Sequence, residues 1–363
     1  LKSTIAGFLI EEFTQTADTV LDPFCGSGTI PLECVLRGRS IVAFDINKYA
    51  ITLTRAKLEA PNTLNEAVER ASVRLASAER RPQPILDDVP GWVREFFHPE
   101  TLRSAIQLAE ECIEKDDAFV LACLLGILHH QRPGFLSFPS SHLVPYLRER
   151  KFPRDKYPEM YEERAIEPRL RAKVQRAFRL PRGRLDATGT VALRDVRSLI
   201  ERPYGKIDAI ITSPPYMNAL DYMRDNRLRM WFLDHSTPEY SPEKTDKPAE
   251  FISIVDALVA GPFRHLVPGG RCVLVVGETV NRKRMTSHPA ETLLARVRDT
   301  APYMSLDHVI EDTIPDVRRT RRDGAATKKE LVLVFRKGSH CQQPLGEERP
   351  APLLPNPGVQ GVV

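Results

Sequence analysis

Residues 19–58 repeat one pattern twice: a short apolar run, a turn, then a helical stretch. Thr19-Val20-Leu21-Asp22 reads as a buried strand that runs into the turn Pro23-Phe24-Cys25-Gly26-Ser27-Gly28-Thr29. A helix is predicted over Ile30–Arg37, with Gly38 as its C-cap. Ser40–Phe44 is a second strand, Asp45 sits at its end, and Lys48–Leu58 reads as a further helix. Strands joined by helices pair in parallel, because a parallel connection must cross back over the sheet. The pattern therefore predicts an open, doubly wound α/β sheet. A helix over Ile5–Phe13 precedes it, with Ile5, Phe8, Leu9 and Phe13 along one side.

The alternation then stops. From about Pro61 to Arg184 the pattern is mostly helical, as in Thr101–Ile113 and Ala118–His130, and this block reads as an insertion. The sheet pattern resumes at Val191-Ala192-Leu193, followed by Asp195, and again at Ile207–Thr212. A helix through Tyr222–Leu233, a polar loop near Ser236–Lys247 and a helix over Phe251–Leu266 come next. Pro268-Gly269-Gly270 reads as a turn into a strand over Arg271–Gly277. Leu306–Ile314 and Leu331–Arg336 read as closing strands. The expected organisation is a discontinuous catalytic domain of residues 1–60 and 186–337, a helical insertion of residues 61–185, and a disordered tail of residues 338–363, rich in Pro and Gly.

The chain has 363 residues, 42% of them apolar, which is enough for a large core. Its net charge of +4 does not by itself argue for nucleic acid, so the placement of charge matters more. The six cysteines, Cys25, Cys34, Cys112, Cys123, Cys272 and Cys341, form no C-x-x-C pair, which excludes a zinc ribbon or thioredoxin-type site, and no metal is expected. Thiols in apolar runs fit a reducing cytoplasm. No apolar run of membrane-spanning length and no signal peptide appears, so no membrane association is expected. The chain opens on Leu1 in an amphipathic stretch, which suggests that residues precede it.

Two loops carry chemistry. The first is the glycine turn after the first strand, where glycine lets the backbone approach a ligand and the following helix offers free N–H groups. Asp45 lies 17 residues beyond Gly28, at the next strand end, where a carboxylate can accept hydrogen bonds from both hydroxyls of a ribose. The pattern G-x-G-x-x-G is absent. Asp195 occupies the third strand end, as a ligand contact or as a helix N-cap. The second loop is Thr212-Ser213-Pro214-Pro215-Tyr216, whose prolines force the chain out of the sheet at its carboxyl edge, the edge where such sheets bind ligands.

D-P-F-C-G-S-G-T and T-S-P-P-Y resemble motifs I and IV of the amino methyltransferases, the family that methylates exocyclic amines of bases in DNA and some RNAs. The resemblance implies a Rossmann-like class I methyltransferase sheet and S-adenosylmethionine as cofactor. It implies that Phe24, Gly26 and Gly28 contact the cofactor's methionine part, with Asp22 and Thr29 also among the cofactor-binding residues, that Asp45 holds the ribose, and that Ile46, Asp195 and Val196 meet the adenine. Ser213, Pro214, Pro215 and Tyr216 would be the catalytic tetrapeptide. An exocyclic amine is a poor nucleophile because its lone pair is delocalised into the ring. Acceptors such as the Ser213 side chain and the Pro214 carbonyl can draw on its protons, and Tyr216 offers a face on which a flipped base stacks. Methylation at cytosine carbon 5 would need a cysteine nucleophile, and no cysteine lies near Pro214.

Ser at the first motif position points to N4 of cytosine; N6 of adenine is the alternative, and N2 of guanine in RNA or a non-catalytic nucleic-acid-binding subunit are further ones. The expected partner is double-stranded DNA, with a cognate restriction enzyme as a second partner and the oligomeric state open. The resemblance does not cover the insertion. Residues 147–184 there are dense in Arg, and Tyr146, Phe152, Tyr157 and Tyr161 fall among these charges, a mixture suited to phosphate contact and base stacking. Arg318, Arg319, Arg321 and Arg322, between the last strands, are candidates for contact with the nucleic-acid backbone, and Asn218 for the target base.

Overall fold

The computed structural model describes residues 1–130, 134–141, 145–179, 188–199, 205–215, 222–236, 247–277, 289–314 and 328–338. The strands are β1 (Thr19–Asp22), β2 (Ser40–Asp45), β3 (Gly189–Leu193), β4 (Ile207–Thr212), β5 (Leu266–Gly277), β6 (Met304–Ile314) and β7 (Lys328–Lys337). The helices are α1 (Ser3–Phe13), α2 (Thr29–Leu36), α3 (Lys48–Leu58), α4 (Leu64–Ala78), α5 (Gly91–Arg94) and α6 (Pro99–Glu114). They continue with α7 (Ala118–Leu125), α8 (Ile166–Ala177), α9 (Tyr222–Asp234), α10 (Lys247–Ala260), α11 (Pro262–His265) and α12 (Pro289–Thr300). None is long and apolar enough to cross a membrane, among the described residues.

Among those residues the strands form one sheet in the order β3-β2-β1-β4-β5-β7-β6. The pairs from β3 through β5 are parallel, whereas β7 runs antiparallel to both β5 and β6. The order reverses at β1, which lies between β2 and β4. That reversal lies at the carboxyl ends of β1 and β4, the place where open α/β sheets bind ligands. Ile41, Val42, Ala43 and Phe44 are all buried, as a parallel strand covered on both faces requires.

The chain divides into two compact units. The sheet unit comprises Leu1–Ile46, Leu185–Ala219 and Glu243–Val363; the helical unit comprises Asn47–Arg184 and Leu220–Pro242. The division differs from the sequence expectation in assigning α3 and α9 to the helical unit. Packing explains it: Ala56 of α3 is buried with Ala118 and Ala122 of α7, and Leu228, Trp231 and Phe232 of α9 join the large core built by α6 and α7. Every residue of α7 is buried. In α4 a capping box forms, with the Glu66 N–H donating to Thr63 Oγ1 and the Thr63 N–H to Glu66 Oε2.

Four sequence expectations change. Phe8 is 52% exposed; α1 instead buries Ala6, Gly7, Leu9, Ile10 and Phe13, because the side that faces the sheet is set by packing rather than by which residues are largest. The helix expected over Phe251–Leu266 stops at Ala260, where Gly261 and Pro262 break it, and Leu266 already belongs to β5. Pro268-Gly269-Gly270 lies within β5, at a register shift opposite Ile207 and Ala209. Helix α12 has no counterpart among the elements expected from sequence, although Pro289, Ala290, Leu293 and Val297 form its buried stripe. Of the expected tail, residues 339–363 lie outside the described residues.

The β5 irregularity depends on glycine. A Cβ at Gly270 would stand 2.8 Å from the Asp208 carbonyl oxygen and 2.9 Å from that of Val267. Backbone cannot yield as a side chain tip can, so Gly270→Ala is expected to destabilise the sheet unit by about 1–3 kcal/mol. Thermal unfolding checks this; an unchanged midpoint would show that the bulge relaxes freely.

Candidate active site

The carboxyl ends of β1 and β4 are joined by one buried hydrogen bond: Thr212 Oγ1 donates to Asp22 Oδ1 at 2.6 Å. The Phe24 N–H donates to the same oxygen at 3.2 Å. The second carboxylate oxygen of Asp22, Oδ2, is buried and has no hydrogen-bond partner among the described residues. Burial pushes the Asp22 carboxyl up from 3.8 to about 7; the bonds from Thr212 and Phe24 oppose that rise, and the nearby Asp45 charge adds to it. An unpaired carboxylate oxygen in the interior is costly, and such a group suits a cationic or donor ligand.

The turn after β1 is laced to the end of β2. The Cys25 N–H donates to the Phe44 carbonyl at 2.9 Å, and the Gly26 N–H to Asp45 Oδ2 at 2.9 Å. Gly26 and Gly28 both have positive φ, 51° and 74°, which favours glycine at each, and Gly28 is the N-cap of α2. A Cβ on Gly26 would meet only the Phe24 carbonyl oxygen, at 3.9 Å, among the described residues, so the turn presents open backbone. Thr29 opens α2, its hydroxyl 3.4 Å from that of Ser27. Cys25 is buried. Beside Asp45, Ile46 is 64% exposed, an apolar side chain with a face open to cover.

At the end of β3 the structure gives the capping arrangement for Asp195. Its Oδ1 accepts from the Arg197 backbone N–H at 2.8 Å, and both carboxylate oxygens accept from Arg197 Nε. Burial raises this carboxyl, and the Arg197 bonds overcome that and hold it below the ordinary value. Val196 is 2% exposed and belongs to the core of the sheet unit with Phe44, so its side chain serves packing.

Beyond β4, the Ser213 hydroxyl donates to the Val275 carbonyl at 3.1 Å. Pro214 is buried and Pro215 half-buried. Tyr216, Asn218, Arg318, Arg319, Arg321 and Arg322 lie outside the described residues. The structure thus brings Asp22, Phe24, Gly26, Gly28 and Asp45 together around one turn and joins that turn to Thr212, next to Ser213. Sequence reasoning misses Thr212. The available signal is a hydroxyl at the last position of a buried strand neighbouring one that ends in Asp.

In the helical unit, residues 145–179 hold eleven Lys or Arg against six Asp or Glu. The aromatic residues there are largely engaged within the unit, contrary to an open stacking surface. The Arg154 guanidinium lies over Phe138 and Tyr161, 5.2 and 4.7 Å from their ring centroids. Tyr157 packs edge-on against Phe152, while Tyr146 is exposed. Among the cations, Arg150, Lys151, Lys156, Arg171 and Arg176 are exposed.

A parallel sheet in this order, closed by an antiparallel β7 between β5 and β6, is the class I methyltransferase fold. More particularly, residues 4–56, the segment carrying the glycine turn and Asp45, match the N6_N4_Mtase family model, described as DNA methylase. Among curated proteins no significant match is found. Similar solved structures include SAM-dependent methyltransferases from Methanosarcina mazei (14% identity, 92% of this chain and 98% of that one covered, TM-score 0.37). Others are an rRNA methylase from Streptococcus thermophilus (11%, 92% and 96%, TM-score 0.33) and a methyltransferase from Pyrococcus furiosus (10%, 93% and 84%, TM-score 0.33).

Proposed function

We propose that this chain is an S-adenosylmethionine-dependent DNA methyltransferase acting on an exocyclic base amine, N4 of cytosine, in duplex DNA. The observation that carries the reading is the Thr212–Asp22 hydrogen bond, which holds the glycine turn and the Ser213-Pro214-Pro215 loop together at the strand-order reversal. The residues present fit the cofactor. The unpaired Asp22 oxygen suits its cationic ammonium group, the open backbone at Gly26 suits close approach, Asp45 suits a ribose, and Ile46 suits a flat apolar ring. Asp195 lies one strand further along the same sheet edge.

When bound, S-adenosylmethionine supplies an electrophilic methyl group. The chain's own residues supply position and polarisation. Ser213 Oγ and the Pro214 carbonyl would each accept a hydrogen bond from one N–H of the target amine and so restore its lone pair, and Tyr216 would stack on the base. The amine would give up one proton to solvent on taking the methyl group, with no covalent link to the protein. Exposed cations of residues 145–179 and Arg318, Arg319, Arg321 and Arg322 serve phosphate contact, which gives affinity but no sequence readout.

The test is incubation with methyl-labelled cofactor and mixed-sequence duplex DNA, digestion to nucleosides and identification of the product. N4-methylcytosine is the expected product. N6-methyladenine would move the assignment to adenine, label in RNA alone would overturn the DNA assignment, and cofactor binding without transfer to any nucleic acid would mark a binding subunit.

A further inference from the structure

The Ser213 hydroxyl lies where β4 leaves the sheet. Thr212 pairs with Leu274 in parallel register. One more step of that ladder would aim the N–H of residue 214 at the Val275 carbonyl. Residue 214 is proline and has no N–H. The carbonyl that the ladder thereby loses is taken up by the Ser213 hydroxyl, 3.1 Å away. β5 itself continues to Gly277 and pairs there with β7, so Val275 is held firmly in the sheet.

A serine hydroxyl has one proton and two lone pairs, and a carbonyl oxygen can only accept. The bond to Val275 therefore commits the proton, and toward any other group this hydroxyl can only accept. We infer that the Val275 carbonyl fixes Ser213 as an acceptor, and that position 213 in this chain requires a side chain carrying its own donor, which admits Asn and excludes an ionised Asp. This deepens the proposed function and rests on it. Asn can give its NH2 to Val275 and turn its carbonyl oxygen to the target amine. An ionised Asp has no donor, and its oxygens would face the Val275 oxygen, acceptor against acceptor. The residue that opens the tetrapeptide is thus selected by the neighbouring strand as well as by the base. An acceptor fixed in this way also matches a substrate that brings N–H groups, such as a primary aromatic amine, and offers nothing to a substrate that needs a proton.

The test compares wild type with Ser213→Asn, Ser213→Asp and Ser213→Ala in the labelled-DNA assay, with kcat, KM for DNA and calorimetric cofactor affinity measured for each. Ser213→Asn is expected to keep kcat within about tenfold of wild type. Ser213→Asp is expected to fall at least ~100-fold, to the level of Ser213→Ala, as loss of a group that polarises the reacting centre does. Cofactor affinity should stay within about twofold throughout, because binding equal in ground and transition states is not what is lost. The inference is overturned if Ser213→Asp matches or exceeds Ser213→Asn, or if Ser213→Asn is as inactive as Ser213→Ala. No transfer by the wild type would instead overturn the methyltransferase reading beneath it.

Discussion

Replacing Asp22 by Asn should make the ligand-free protein more stable at pH 8 and a poorer binder of S-adenosylmethionine. The folded-state pKa of about 7 lies above the ordinary 3.8, so the native state holds this proton more tightly than the unfolded chain. The stability it contributes is present in full below about pH 4 and is lost as pH rises through about 7. Above that pH the buried, half-paired carboxylate costs on the order of 4 kcal/mol. Asn keeps an acceptor for Thr212 and Phe24 and removes the charge, but leaves its own NH2 unpaired. The expected net gain at pH 8 is therefore smaller, about 1–3 kcal/mol. Denaturant unfolding at pH 5 and pH 8 reads both effects: the wild type should lose stability across that interval, and Asp22→Asn should lose much less. Calorimetry should show cofactor affinity reduced by about tenfold or more, since a charge-assisted contact becomes a neutral one. A variant that is less stable at pH 8 and binds the cofactor unchanged would count against both roles given to Asp22.

Asp117 is the point at which the helical unit should be most sensitive. Its side chain is fully buried. Oδ1 caps α7 by accepting from the Val120 N–H at 3.1 Å. Oδ2 accepts from Arg70 Nε at 2.8 Å and from Arg74 Nε at 3.0 Å. Arg74 also reaches Glu111, which is itself buried and bonded to Arg81. Alanine at position 117 would remove the cap of a wholly apolar helix and leave two guanidinium groups with their shared partner gone. Breaking a buried pair by removing one member costs about 3–5 kcal/mol, and a lost N-cap about 1 kcal/mol. Asp117→Ala is expected to lower stability by about 2–4 kcal/mol in denaturant titrations, from the lost cap and from two half-buried guanidinium groups left with weaker partners. Asp117→Asn keeps the capping oxygen and should lose clearly less. Ala at the exposed Asp155 is the control and should shift stability by under about 0.5 kcal/mol. Equal losses for Asp117→Ala and Asp155→Ala would show that the network contributes nothing.

The elements of the sheet were legible because their signals are local. β1, β2 and β4 are short apolar runs ended by Asp22, Asp45 and the Ser213-Pro214-Pro215 loop, and each lies in the structure where its pattern places it. α3 also has the bounds expected from sequence. Pattern alone did not give the break at Gly261, because the apolar period runs through it and only the glycine and Pro262 interrupt the backbone. It did not give α12, whose apolar stripe is narrow and lies among charged residues.

The sequence by itself determined the parallel sheet and the two loops at its carboxyl edge, because strand period, turn chemistry and the missing N–H of proline act within a few residues of one another. Only the tertiary structure decided what those loops do for each other. Thr212 meets Asp22 across 190 positions of sequence, Ser213 meets Val275 across 62, and α9 joins the core of a unit whose other helices end before residue 180. Such pairings follow from burial and from the need to satisfy every buried polar group. Neither condition is met until the sheet and the helices are assembled.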